Sequence, residues 1–200
     1  MSVYKQLLGE DFNKLHPMLQ HRYDTVPGEA FRAKGIMKTI KHGSPLLFPF
    51  YQAAPLMDFL FPEQGIDIPF DMIHSCIDQG EKTYDIEWSR NFYFPEKKRT
   101  FNSTTRIDLK TKHAYDLLGK PSMMHSNLLL DVTKEGRLIT RTNAQHLFGI
   151  IPLPSFFKGK AIVEDGFDDA RGVYTVHATV YNDILGTIMM YAGEFQELTT

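Results

Sequence analysis

The stretch Lys82 to Phe94, KTYDIEWSRNFYF, constrains this chain more than any other feature. Its side chains alternate: Tyr84, Ile86, Trp88, Arg90, Phe92 and Phe94 fall on one face, and Thr83, Asp85, Glu87, Ser89 and Asn91 on the other. A period of two over this length is the pattern of an antiparallel strand with one face in a core and the other in water. A helix would mix the two sets around its circumference.

The same period extends along most of the chain. Ala30 to Lys41 reads as a first strand that Gly35 bends, and Gly65 to Asp78 as a second with Ile66, Ile68, Phe70 and Met72 on one face. Further strands are expected at Lys98–Leu109, His113–Leu118, Met123–Val132, Leu138–Phe148, Lys160–Glu164, Val173–Tyr181 and Ile184–Gln196. The connections FPEKK, GKPS, KEGR and YND are short turns, so consecutive strands should be neighbours in one antiparallel sheet. A sheet of about ten strands is near the limit for an open twisted array and tends to curl. The expected fold is therefore α+β and mainly antiparallel β, a strongly curved sheet or β-barrel of about ten strands. It is expected as a single domain over 1–200, with a helical front at 1–25 and a β-rich body at 30–200.

In the helical front, Ser2 can cap a short helix through Leu8, and Asp11 a second reaching Tyr23. Two apolar segments remain. Ser44 and Pro45 open a helical segment running to Phe61, kinked near Pro55, that would cover the sheet. The other, LFGIIPLPSFFKG at Leu147 to Gly159, carries prolines that exclude an ordinary helix or a central strand. It is expected to form the wall or lip of an apolar cavity.

Charge and composition remove several classes of function. A formal charge of −2, with EKKR at Glu96–Arg99 as the nearest basic run, gives no surface for tracking phosphates, so no nucleic-acid partner is expected. Cys76 is the only cysteine, which rules out an intrachain disulfide. The first residues carry charges and no apolar core, unlike a secretion signal, and a cytoplasmic location is expected. Pro45 to Pro62 approaches the length of a membrane span but contains Gln52, Asp58 and four prolines, so the chain is not expected to cross a membrane.

Polar groups in apolar places are the candidates for function. Alternation puts the permanent charge of Arg90 between Trp88 and Phe92 on the buried face, where a guanidinium needs a carboxylate, a carbonyl, water or an acidic ligand. Either it forms a structural ion pair or it anchors a ligand's acid group, with Trp88, Phe92, Phe148 and Phe156 lining the pocket. His74 and Cys76 sit two apart on one face, and His146 and His177 lie on other strands. The spacing is not that of a zinc site, so neither metal nor cofactor is expected. The acidic stretch EDGFDDARG at Glu164–Gly172 lacks the calcium-loop pattern and reads as a solvated hairpin turn. Asp85 and Glu87 lie on the strand's polar face and are expected to meet water. No phosphate loop, nucleophile elbow or HExxH helix is present, and no enzyme class follows from a motif.

The segments YKQLLGEDFNKLHPMLQHRY, FRAKGIM, FGIIPLP and GTIMMYAGEF together resemble the bacterial family catalogued as domain of unknown function 4166, over nearly the full length. The resemblance implies modules found alone or attached to saccharopine-dehydrogenase-like or membrane proteins. It supplies no catalytic residues and favours an accessory role in binding a ligand or a partner. Three functions are thus open. The leading one is non-catalytic binding of a hydrophobic or lipid-like small molecule. The others are an enzyme acting in the same cavity through His74, His146 or His177, and an interaction module with an exposed apolar patch.

Overall fold

The computed structural model describes residues 2–43, 51–52, 61–118, 124–147, 151–152 and 158–198. Among the described residues, eleven strands follow two short α-helices. They are β1 (Ala30–His42), β2 (Gly65–Asp78), β3 (Thr83–Phe94), β4 (Lys97–Asp108), β5 (His113–Leu118), β6 (Met124–Val132), β7 (Leu138–Leu147), β8 (Ile151–Pro152), β9 (Lys160–Asp168), β10 (Val173–Asn182) and β11 (Gly186–Glu197). Each strand from β1 to β7 pairs antiparallel with the next, β7 pairs with β9, and β10 and β11 follow in order. Pairing of β11 with β1 closes the circle, so ten strands form an up-and-down barrel and β8 adds to the end of β7. Closure leaves no sheet edge among the ten, as expected for a sheet too large to stay open.

Two irregularities re-aim the inward faces. On β1, Phe31, Ala33 and Met37 point inward, but the register shifts between Met37 and Thr39, and the next buried residue is Ile40. The expected bend at Gly35 is therefore displaced to Lys38. On β2, Asp67 has a left-handed backbone with φ 54°, which breaks the period of two. Ile66, expected on the inner face with Ile68, Phe70 and Met72, is instead 73% exposed. Lys38 and Asp67 meet across the two irregular sites at 3.3 Å.

Gly35 has a different role, because a side chain there has no room. A Cβ would overlap the carbonyl oxygen of Glu194 and lie 2.5 Å from Cβ of Phe195, on the strand that closes the barrel. Gly35→Ala is expected to lower stability by about 2–3 kcal/mol, the usual range for forcing atoms into a packed interior. Urea unfolding checks this; a loss under about 0.5 kcal/mol would show that β1 and β11 part easily.

The helices plug one end of the barrel. Ser2 caps α1 (Val3–Leu8) by accepting from the Lys5 N–H at 3.3 Å. The second helix does not begin at Asp11. A 3-10 turn occupies Gly9–Lys14, and α2 (Pro17–Tyr23) starts afresh with Pro17 in its first turn and the His16 imidazole accepting from the Met18 N–H. Proline disfavours helical backbone at the residue before it, which divides the segment at His16. Tyr4 packs on Tyr23 with ring centres 4.9 Å apart, and the Tyr174 hydroxyl donates to the Met18 carbonyl at 3.2 Å. At the opposite end, buried Phe61 lies 5.1 Å from Phe92 and 5.4 Å from Phe94, and the Tyr51 hydroxyl donates to the Ile188 carbonyl. Tyr51, Gln52 and Phe61 are the described residues of the expected covering segment; the rest of it lies outside the described residues.

Candidate functional site

A partly open cavity of about 120 Å³ lies between the helical plug and the inner faces of the strands. One side of its wall is apolar, formed by Met37, Phe70, Met72, Leu128, Val163 and Val176. The remainder is not. Two arginines and two aspartates line the same space, so Arg90, expected on the inner face, is joined there by three further charged groups.

The first charged centre belongs to the plug. Arg22, the penultimate residue of α2, donates to Asp165 Oδ1 at 2.7 Å, with the two side chains only 4% and 6% exposed. The Tyr23 hydroxyl donates to Oδ2 at 2.9 Å. Asp165 lies within β9, whose inward residues Ala161, Val163 and Asp165 alternate with outward ones. The acidic stretch assigned to a solvated hairpin is thus half strand, and one of its carboxylates is buried; only Asp169–Gly172 forms the turn. The Arg22 guanidinium also lies 4.8 Å from the Phe195 ring centre and 5.9 Å from that of Trp88.

The second centre spans β3, β4 and β5. Arg90 is half-buried, as alternation requires, but no carboxylate lies within ion-pair distance of it among the described residues. Its guanidinium stands 5.0 Å from the Trp88 ring and 5.2 Å from the Phe101 ring, and Nη1 donates to Ser103 Oγ at 3.3 Å. Aromatic faces stabilise a cation in place without neutralising it. Beside it, Trp88 Nε1 donates to Thr105 Oγ1 at 3.1 Å, and Thr105 donates to Asp116 Oδ1 at 3.3 Å. Burial pushes the Asp116 carboxyl up to about 6, although the Arg90 charge and the Thr105 hydrogen bond favour its ionised form. Asp116 is one of the residues lining the cavity.

The other expected site residues are placed as follows. Trp88 lines the cavity; Phe92 is buried between Phe61 and Phe70 and is not part of the lining. Phe148 and Phe156 lie outside the described residues, as does most of the proline-rich stretch between Leu147 and Gly159. None of the three histidines lines the cavity. His74 is fully buried between the Phe31 and Trp88 rings, with neither ring nitrogen hydrogen-bonded among the described residues, and burial holds it well below the usual imidazole range. His177 is exposed, and His146 pairs with His125 across β6 and β7. Cys76 is buried, and burial pushes its thiol up to about 11, which leaves it unreactive. Asp85, expected to meet water, is buried under Arg106, which clasps it with bonds of 2.7 and 2.8 Å. Among the described residues no three His, Cys, Asp or Glu side chains gather as metal ligands, and no helix is long and apolar enough to cross a membrane.

Asp116 and Asp165 could have been found by the reasoning that found Arg90. In HAYDLL, Asp116 shares a strand face with Ala114 and Leu118; in AIVEDGF, Asp165 shares one with Val163 and Phe167. Arg22 and Tyr23 carry no comparable signal, because nothing local says where a short helix will dock.

A crystal structure from Thermobifida fusca YX provisionally labelled thioesterase II covers 91% of this chain and 85% of its own, at 6% identity and a TM-score of 0.25, too low to carry an argument. The uncharacterized protein YndH of Bacillus subtilis (strain 168) is 34% identical over 200 residues, covering 98% of this chain and 97% of its own. The family model for the domain of unknown function DUF4166 matches residues 15–195. On that match and that relative, the chain belongs to the DUF4166 family.

Proposed function

We propose that the protein binds a small molecule with an acidic group and an apolar body inside the barrel, with Arg90 as the anchor and Trp88 among the lining residues. The observation that carries this reading is an arginine lining the cavity with no carboxylate within ion-pair distance among the described residues. Ser103 and two aromatic faces hold the guanidinium, while Nε and Nη2 have no acceptor among the described residues. Arg22, on the same cavity, already has its ion pair and serves the fold. Donors left open in a partly dehydrated site suit a carboxylate, sulfonate or phosphate. Beside the 300–1,000 Å³ of typical small-molecule sites, roughly, a cavity of about 120 Å³ favours a short chain or a single ring over a long acyl chain.

A second reading, acid–base catalysis in the same space, is favoured by one observation: the titratable carboxyl of Asp116 faces the cavity, where His74, His146 and His177 do not. The chain is taken to act as one domain over 1–200. The cytoplasm is the proposed compartment, in keeping with a single buried cysteine and no disulfide.

Straight-chain carboxylates of four to eight carbons, paired with the alcohols of equal length, test the anchor by calorimetry. At least one acid should bind at least about tenfold tighter than its alcohol. Arg90→Met should abolish that preference while keeping the wild-type circular dichroism. Equal binding of acid and alcohol, or a folded Arg90→Met protein that keeps the preference, overturns the proposal.

A further inference from the structure

Asp116 and Arg90 line the same cavity. The Trp88 indole N–H can only donate, so the Thr105 oxygen accepts from it and the single Thr105 proton is directed to Asp116 Oδ1. Oδ1 is therefore kept as an acceptor. Oδ2 has no protein partner among the described residues, and Asp116 lines the cavity. Arg90 lines that cavity from two strands away, and its charge reaches Asp116.

We infer that Asp116 and Arg90 hold the ligand's acidic head together, and that the head enters with one proton, taken from solvent, that settles on Asp116 Oδ2. This rests on the anion-binding reading above. Two negative groups in a poorly solvated space repel one another, so an anion beside an ionised Asp116 is penalised. A carboxylic acid at Oδ2 removes that repulsion and supplies a hydrogen-bond donor in addition to the guanidinium. Protonation near neutral pH costs little, because burial has already raised the carboxyl to about 6. The other groups facing the space are committed: Asp165 accepts from Arg22 and Tyr23, and burial keeps the Tyr4, Tyr23 and Tyr191 hydroxyls protonated. His74, behind Trp88, stays neutral.

Hexane-1-sulfonate is the probe, since it stays ionised throughout and any pH dependence belongs to the protein. Titration calorimetry from pH 5.5 to 8.5 should give wild-type affinity that is flat below about pH 6 and weakens about tenfold per unit above it. Repeated at pH 7.5 in buffers of different ionisation heat, it should show one proton taken up per sulfonate. Asp116→Asn should bind with no pH dependence and no proton uptake, and about tenfold or more tighter than wild type at pH 8. Sulfonate binding by the wild type without pH dependence or proton uptake overturns the proton coupling alone. No binding by either protein at any pH overturns the anion-binding reading and the coupling together.

Discussion

Asp165→Ala is expected to lower the stability of the protein by about 3–5 kcal/mol, the usual cost of leaving half of a buried ion pair behind. Arg22 and Asp165 are both nearly inaccessible to solvent, and the carboxylate accepts from Arg22 through one oxygen and from Tyr23 through the other. Arg22 Nε already lacks a partner among the described residues, so loss of Asp165 leaves the guanidinium with the ring faces as its described contacts. It cannot escape by losing its proton. Because both donors sit at the end of α2, the damage should spread to the helical plug and shorten the distance to a loosened barrel end. The double variant Arg22→Met/Asp165→Leu should regain much of the loss, since apolar replacement of a buried pair removes two desolvation costs at once. Recovery will be incomplete, because the Tyr23 hydroxyl loses its acceptor. Urea unfolding at pH 7 reads all three proteins; a loss under about 1 kcal/mol for Asp165→Ala would mean that water reaches Arg22.

Asp116→Asn should act in the opposite direction, stabilising the protein by about 3 kcal/mol at pH 8. The carboxyl is raised from its ordinary 3.8 to about 6 in the folded state. Folding therefore binds a proton between those values, and stability contributed by the protonated group is full below pH 3.8 and lost as pH rises through about 6. Asparagine carries no such charge, so the gain should be complete at pH 7–8 and absent below about pH 4. The difference between the two proteins isolates the effect, because His74 bends the wild-type curve the other way. Its imidazole is held neutral in the fold, and stability falls as pH drops below the unfolded value of 6.5. A residue whose removal stabilises the fold is one kept for another purpose, in line with a role at the ligand. Equal stability of the two proteins at pH 8 would mean that Asp116 is well solvated in the empty cavity.

The strands and the inward position of Arg90 were legible because they rest on a period of two, which needs nothing beyond neighbouring residues. Sequential pairing was legible from turns too short to permit any other order. The inward carboxylates were legible in principle. Asp116 lay in a six-residue strand too short for its alternation to stand out, and Asp165 was hidden by the acidic residues around it, which together resemble a solvated turn. The exposed side of Ile66 was not legible: one left-handed residue, Asp67, reverses the face that strict alternation assigns.

From its sequence alone, this chain was bound to form about ten antiparallel strands preceded by short helices, with a cation on an inner face. Those outcomes follow from local sterics, side-chain period and the reach of short turns. Closure of β11 onto β1, the insertion of Arg22 beside Asp165, and the meeting of Arg90 with Asp116 in one cavity were decided only by tertiary structure. Each depends on how far the sheet curls and on where a helix docks, and both are set by packing among residues distant in the chain. A charge on an inner face requires an answer from its surroundings; which group provides it is known only once the barrel has closed.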